Sequence, residues 1–188
     1  MSSQHELILG GAKSGKSRIA EARATAWLGG GTDREAVLIA TALAGDDEMA
    51  ERIRRHQADR AARAPALATI EAVQDLPGAV GRHAGAQRLL VVDCLTLWLT
   101  QCLLPPQGAG MSAAAWQAEQ QRLLDALRDS AGPVVLVSNE IGLGVMPMSR
   151  EARDCVDALG LLHQRVAALC GRITLMIAGC ELSVKDGR

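Results

Sequence analysis

Eight residues near the start of the chain carry its plainest chemistry: Gly10-Gly11-Ala12-Lys13-Ser14-Gly15-Lys16-Ser17. They follow a short apolar run, Glu6-Leu7-Ile8-Leu9, and lead into a helix-favouring segment from Arg18 to Leu28. Strand, glycine loop and helix in that order are the context that the phosphate-binding pattern G-x-x-x-x-G-K-[ST] requires. The glycines let successive backbone N–H groups turn inward onto phosphate oxygens, and the positive end of the helix points at the same anion. In that reading Lys16 reaches the β- and γ-phosphates of a nucleotide, and the Ser17 hydroxyl holds Mg²⁺. The alternative is a plain glycine turn, and residue types, spacing and flanks all speak against it.

Other residues extend the chemistry. Asp93 ends an apolar run, where an acid would meet the metal of a phosphate-loop site or simply cap the next helix. His56 sits in a basic segment, with Arg52 one helical turn before it and Arg60 one turn after. Guanidinium groups there would bind an incoming phosphate, and an imidazole beside it can attack phosphorus. The same spacing also suits a solvated basic helix with His56 as a bystander, and the residues alone leave both open. Asn139 and Glu140 follow another apolar run on the side of Asp93, placed either to orient a substrate or to satisfy loop backbone. His163 reads as a packed, hydrogen-bonded histidine and Cys94 as core. His5 and His83 have no partner visible in the sequence.

The elements that must position these groups alternate. Apolar runs at Ala36–Thr41, Leu89–Asp93, Pro133–Val137 and Ile173–Ala178 read as buried strands, with Glu181–Lys185 as a last edge strand after a turn at Gly179-Cys180. Glu48–Arg63 reads as helical and ends before Pro65. A short helix is expected within Asp75–Ala86, and an apolar one after Cys94. Ser112 and Ser149 are placed to cap long helices reaching Ser130 and Cys170. This alternation predicts a mostly parallel α/β sheet with helices on both faces, and one domain spanning residues 1–188. Ligands then gather at the strands' carboxyl ends, where the loops after Leu9, Thr41, Asp93 and Glu140 converge.

Composition narrows the function classes. The 188 residues are 48% hydrophobic but only 2% aromatic, without Phe or Tyr, so the core is aliphatic and base-stacking platforms are nearly absent. A net charge of −1 supplies no basic field for nucleic acid. No apolar run approaches the ~20 residues of a membrane span. Met1–Glu6 is polar and reads as no signal peptide. Five cysteines without a C-x-x-C pair suit a reduced, cytoplasmic setting.

With these stretches laid out, the chain resembles the bifunctional cobinamide kinase/cobinamide-phosphate guanylyltransferase family of cobalamin biosynthesis. The likeness covers nearly the whole chain. It runs through Gly10–Ser17, Ile39-Ala40-Thr41-Ala42, Asp46-Asp47-Glu48-Met49 with Arg52-Ile53 and His56, Val92–Leu99, and Val137-Ser138-Asn139-Glu140-Ile141-Gly142-Leu143-Gly144. The resemblance implies a RecA-like phosphate-loop fold and two activities. The first phosphorylates the aminopropanol hydroxyl of adenosylcobinamide with ATP or GTP. The second transfers GMP from GTP to that phosphate, through a histidine-bound GMP at the position of His56. It implies nucleotide contacts at Gly10, Gly11, Ala12, Lys13, Ser14, Gly15, Lys16 and Ser17. Further contacts fall at Thr41, Ala42, Leu43, Gln57, Ala58, Asp59, Arg60, Glu71 and Asp93. Ser17 and Asp93 would meet Mg²⁺, a corrinoid would be the second substrate, and the assembly would be a homotrimer. The chain departs from the family pattern at Leu67 (Trp in the family), at Met148 after Pro147 (Glu), and at His163-Gln164 (Asn-Gln). Two other classes fit the phosphate loop: a small-molecule kinase without covalent nucleotide, and a GTP-gated regulatory module.

Overall fold

Apolar runs and amphipathic segments alternate along the chain, and the computed structural model, which describes residues 4–45 and 47–187, folds them accordingly. In order come β1 (Glu6–Gly10), α1 (Lys16–Leu28), β2 (Glu35–Ala40), α2 (Asp47–Arg63), β3 (Ala68–Glu71), α3 (Leu76–His83) and β4 (Arg88–Asp93). Then follow α4 (Leu95–Leu103), α5 (Ala113–Asp129), β5 (Val134–Asn139), α6 (Arg150–Leu169), β6 (Arg172–Ile177) and β7 (Cys180–Lys185). Asp46, the first acid of the Asp-Asp-Glu-Met stretch, lies outside the described residues.

The strands form one sheet in the order β3-β2-β4-β5-β1-β6-β7, parallel except for the β6–β7 pair. The central strands are apolar at successive positions because both faces are covered. Leu90, Val91 and Val92 of β4 and Leu136 and Val137 of β5 are at most 1% exposed. One face packs against α1 through Ala20 and Ala24. The other packs against α3 to α6, where Trp98 and Trp116 meet with ring centroids 5.1 Å apart among aliphatic side chains.

Local signals set the helix ends. Ser112 Oγ accepts from Ala115 N and Ser149 Oγ from Ala152 N, each at 3.2 Å, so both expected caps form. Asp75 caps α3 by accepting from Gly78 N at 3.1 Å. Two details differ from expectation. Strand β3 is additional: four residues, exposed except for half-buried Ile70, carry no apolar run to announce it. The β6–β7 turn centres on Ala178 and Gly179, one residue earlier than expected, with φ of 51° and 83°. Positive φ at both central positions is what a tight two-residue hairpin needs. Helix α2 has no buried residue at all.

Candidate active site

The phosphate loop leaves β1 through Gly10, whose φ is 152° and whose added Cβ would lie 2.5 Å from the Met176 carbonyl oxygen and 2.7 Å from Ser14 Oγ. Only glycine fits there. Gly15, at φ 103°, is the N-cap of α1 and supplies no side-chain cap. The first N–H groups of α1 therefore face the loop, the arrangement that receives anions. Lys16 is 7% exposed and spans the loop, its Nζ donating to Gly11 O at 2.6 Å. Ser14 Oγ is buried without a hydrogen-bond partner among the described residues, a donor available to a phosphate oxygen. From outside, Gly179 N of the β6–β7 turn donates to Ser14 O at 3.0 Å.

Parallel register brings the other strand ends alongside. Gly10 pairs with Asn139, Asp93 with Val137, and Ala40 with both Asp93 and Glu71. Asp93, half-buried, is within electrostatic reach of Lys16. Burial lowers the Lys16 pKa from its ordinary value; Cys94 and Asp93 oppose that effect and Arg52 adds to it. Burial pushes the Cys94 thiol up to about 12, which suits its expected place in the core. The Thr41 hydroxyl is fully engaged with the backbone of Cys94, accepting from its N at 2.8 Å and donating to its O at 2.7 Å. Gln101 Nε2 holds the Thr41 carbonyl at 2.7 Å. Ala42 and Leu43 stay accessible beyond it, Leu43 being 42% exposed.

A second group stands apart from the loop. Glu71 ends β3, four strands from β1, or about 19 Å across the sheet at ~4.8 Å per strand. His56, Gln57, Ala58 and Asp59 are exposed on α2, and Arg60 is half-buried. His56, although exposed, falls at helical spacing with Met49, Ile53 and Arg60, all half-buried. No described hydrogen bond or ion pair joins it to the phosphate loop. Arg52, in the N-terminal half of α2, nevertheless acts electrostatically on Lys16 of that loop. The far end of α2 is tied down by Arg63, whose Nε donates to Glu21 Oε2 of α1 at 2.7 Å.

Sequence reasoning gave no role to Thr96, Ser138 or Gln101, whose side-chain partners lie 25 to 60 residues away in the chain. Only His163 carried a signal: an imidazole at a core spacing needs a partner, and its Nε2 lies 2.8 Å from Ser138 Oγ. Asn139, by strand alternation, shares the face of Asp93. The Glu140 carboxylate instead turns toward α6, with Oε2 3.8 Å from His163 Nδ1.

Comparison with known proteins bears on the same residues. Residues 6–184 match the family model described as cobinamide kinase / cobinamide phosphate guanyltransferase. Similar proteins include the bifunctional adenosylcobalamin biosynthesis protein CobP of Pseudomonas aeruginosa, 42% identical, with 96% of each chain covered. CobU of Escherichia coli is 34% identical over 95% of this chain and 98% of its own length, and CobU of Salmonella typhimurium 33% identical over the same shares. Since the match takes in the loop, the strand ends and the uncovered helix alike, this chain belongs to the cobinamide kinase / cobinamide phosphate guanyltransferase family.

Proposed function

We propose that this chain, acting as one nucleotide-binding domain over residues 1–188, phosphorylates adenosylcobinamide with ATP or GTP. It then transfers GMP from GTP to the new phosphate, giving adenosyl-GDP-cobinamide and pyrophosphate. The second step is supported by the electrostatic effect of Arg52 on Lys16, with His56 following Arg52 by one helical turn on α2. In this reading the loop from Gly10 to Ser17 grips the polyphosphate, and Lys16 offsets its charge. His56 attacks the α-phosphorus. A nitrogen–phosphorus bond forms, the bond to the α–β bridging oxygen breaks, and pyrophosphate leaves with that electron pair. A phosphate oxygen of cobinamide phosphate then attacks the bound GMP and frees the imidazole. Arg52 and Arg60 flank the reacting phosphorus as charge-assisted donors.

Ser17 and Asp93 offer hard oxygen donors suited to Mg²⁺, with phosphate oxygens and water completing its shell. When bound, the ion would offset charge on the transferring phosphoryl group. Among the described residues no group of three or more His, Cys, Asp or Glu could hold a metal, so the fit is to an ion that arrives with the nucleotide. The corrinoid would rest on the loop after β5, where Leu143, Val145 and Met148 are 81%, 97% and 96% exposed. The uncovered apolar side chains Ile177, Leu182 and Val184 of β6 and β7 suit self-association as a homotrimer. Five free cysteines suit a reducing cytoplasm.

The test is incubation with GTP labelled at the α-phosphate, followed by mapping of the labelled residue. An acid-labile, base-stable adduct at His56 is expected. His56→Ala should lose the label yet phosphorylate cobinamide within about threefold of wild type. Label that persists in that variant would remove the covalent role.

A further inference from the structure

The two half-reactions ask different things of the incoming oxygen. A phosphate monoester is mostly ionised at neutral pH, its second pKa being about 6, and needs no base. An alcohol keeps its proton until attack, so a positioned acceptor accelerates that step alone. In-line transfer also sets the acceptor hydroxyl across the γ-phosphorus from the leaving oxygen.

Strand β5 runs between β1, which carries the phosphate loop, and β4, which carries Asp93. Just past its end, Glu140 N donates to Gly10 O at 3.0 Å, so this residue starts beside the loop. Lys16 and α1 lie on one face of the sheet, while the Glu140 carboxylate turns to the other, toward α6. Its Oε1 accepts from Gly142 N at 2.8 Å, and Oε2 is 3.8 Å from His163 Nδ1. His163, 8% exposed, is held at its other nitrogen by Ser138 Oγ at 2.8 Å. Ser138 Oγ in turn lies 3.0 Å from Thr96 Oγ1, which accepts from Asn139 N at 2.8 Å. This chain fixes the strand end beside Gly10 and leaves Glu140 Oε2 without a hydrogen bond among the described residues.

We propose that Glu140 accepts the proton of the corrinoid hydroxyl during γ-phosphoryl transfer, and that His163, whose Nδ1 lies 3.8 Å from the carboxylate, is a positioning residue that limits where it can turn. The proposal rests on the kinase reading above. In the step, the hydroxyl oxygen bonds to the γ-phosphorus. The bond from that phosphorus to the β–γ bridging oxygen breaks, and its electron pair leaves with the nucleoside diphosphate. The hydroxyl proton passes to Glu140 Oε2.

The competing role for Glu140 is a loop clamp through Gly142, and Glu140→Gln separates the two because its amide oxygen preserves the clamp. Phosphorylation of cobinamide by ATP and guanylyl transfer from GTP to cobinamide phosphate are assayed separately on the full chain. Glu140→Gln should lower kinase kcat about 100-fold while guanylyl transfer stays within about twofold. His163→Leu should lower kinase kcat about tenfold without raising KM for cobinamide, and the hydrogen-bonding His163→Asn should recover most of it. A Glu140→Gln chain that phosphorylates cobinamide within about threefold of wild type, or loses both activities equally, overturns the proposal. A wild-type chain inert toward both corrinoids overturns the kinase reading itself, which is a different result.

Discussion

Glu21 of α1 is 3% exposed and takes both nitrogens of Arg63, Nε at 2.7 Å and Nη2 at 3.3 Å, from the last turn of α2. No residue of α2 is buried, so this pair, with Ala64 and Leu67 just beyond, fixes where the helix joins the body. Arg63→Ala would leave a buried carboxylate without its partner. The ~3–5 kcal/mol of a fully buried pair must be discounted, because Arg63 is 38% exposed. A loss of about 1–2 kcal/mol is expected, or about 2–8 °C in Tm. Guanylyl transfer should fall further than cobinamide phosphorylation, since in the proposed mechanism only the former uses His56. Equal losses in the two assays would show that α2 has no separate part in transfer.

Gly10→Ala tests the loop from the opposite side of the site. The new methyl would collide with the Met176 carbonyl oxygen, a backbone atom that cannot swing away. Stability should drop by at least about 2 kcal/mol, and calorimetry should find no binding of ATP or GTP. Retained nucleotide affinity would mean that the loop closes on phosphate in some other backbone form.

Leu143→Ser combined with Val145→Ser removes apolar side chains that are 81% and 97% exposed. At ~1 kcal/mol for each partly covered side chain, KM for cobinamide should rise about tenfold or more. KM for GTP and the melting temperature should stay put. A KM for cobinamide that does not move would place the corrinoid elsewhere.

Acid stability depends on two buried imidazoles. Val134 N donates to His5 Nδ1 at 3.1 Å, so the proton sits on Nε2, facing Leu127 O at 2.9 Å. Charging the ring would set a proton against the Val134 amide. Burial holds both His5 and His163 below the ordinary imidazole value. The unfolded chain therefore takes up protons first as pH falls below about 6.5, and stability falls with it, by up to ~1.4 kcal/mol per pH unit for each ring. Above that pH neither ring contributes a slope. Thermal melts between pH 7 and pH 5 should show the decline, and His5→Gln should make it shallower while the His163 share remains. A decline of undiminished steepness in that variant would remove His5 from the account.

Contiguous patterns were legible in the sequence, and long-range pairings were not. The phosphate loop announces itself within eight residues, and the buried strands announce themselves as apolar runs because parallel strands are covered twice. Ser112 and Ser149 were readable as caps because a cap acts three residues away. Strand β3 was hidden because its edge position leaves Ala68, Thr69 and Glu71 exposed, and only pairing with Val37–Ala40 makes it a strand. Arg63 and Glu21, His163 and Ser138, and His5 and Leu127 are joined by folding across 42, 25 and 122 residues. No local spacing encodes those contacts. The significance of His56 came from resemblance, since a basic helix on a surface looks the same whether or not it does chemistry.

The hydrogen bond from Gly179 to Ser14 joins a turn to a motif synthesised long before it. β1 also needs β6 as a neighbour, so the phosphate cradle stays unsupported until Arg172–Ile177 has been made. A nascent chain arrested before β6 should bind no nucleotide, although every residue of the cradle has already emerged. Termination before β6 would therefore disable a loop already made.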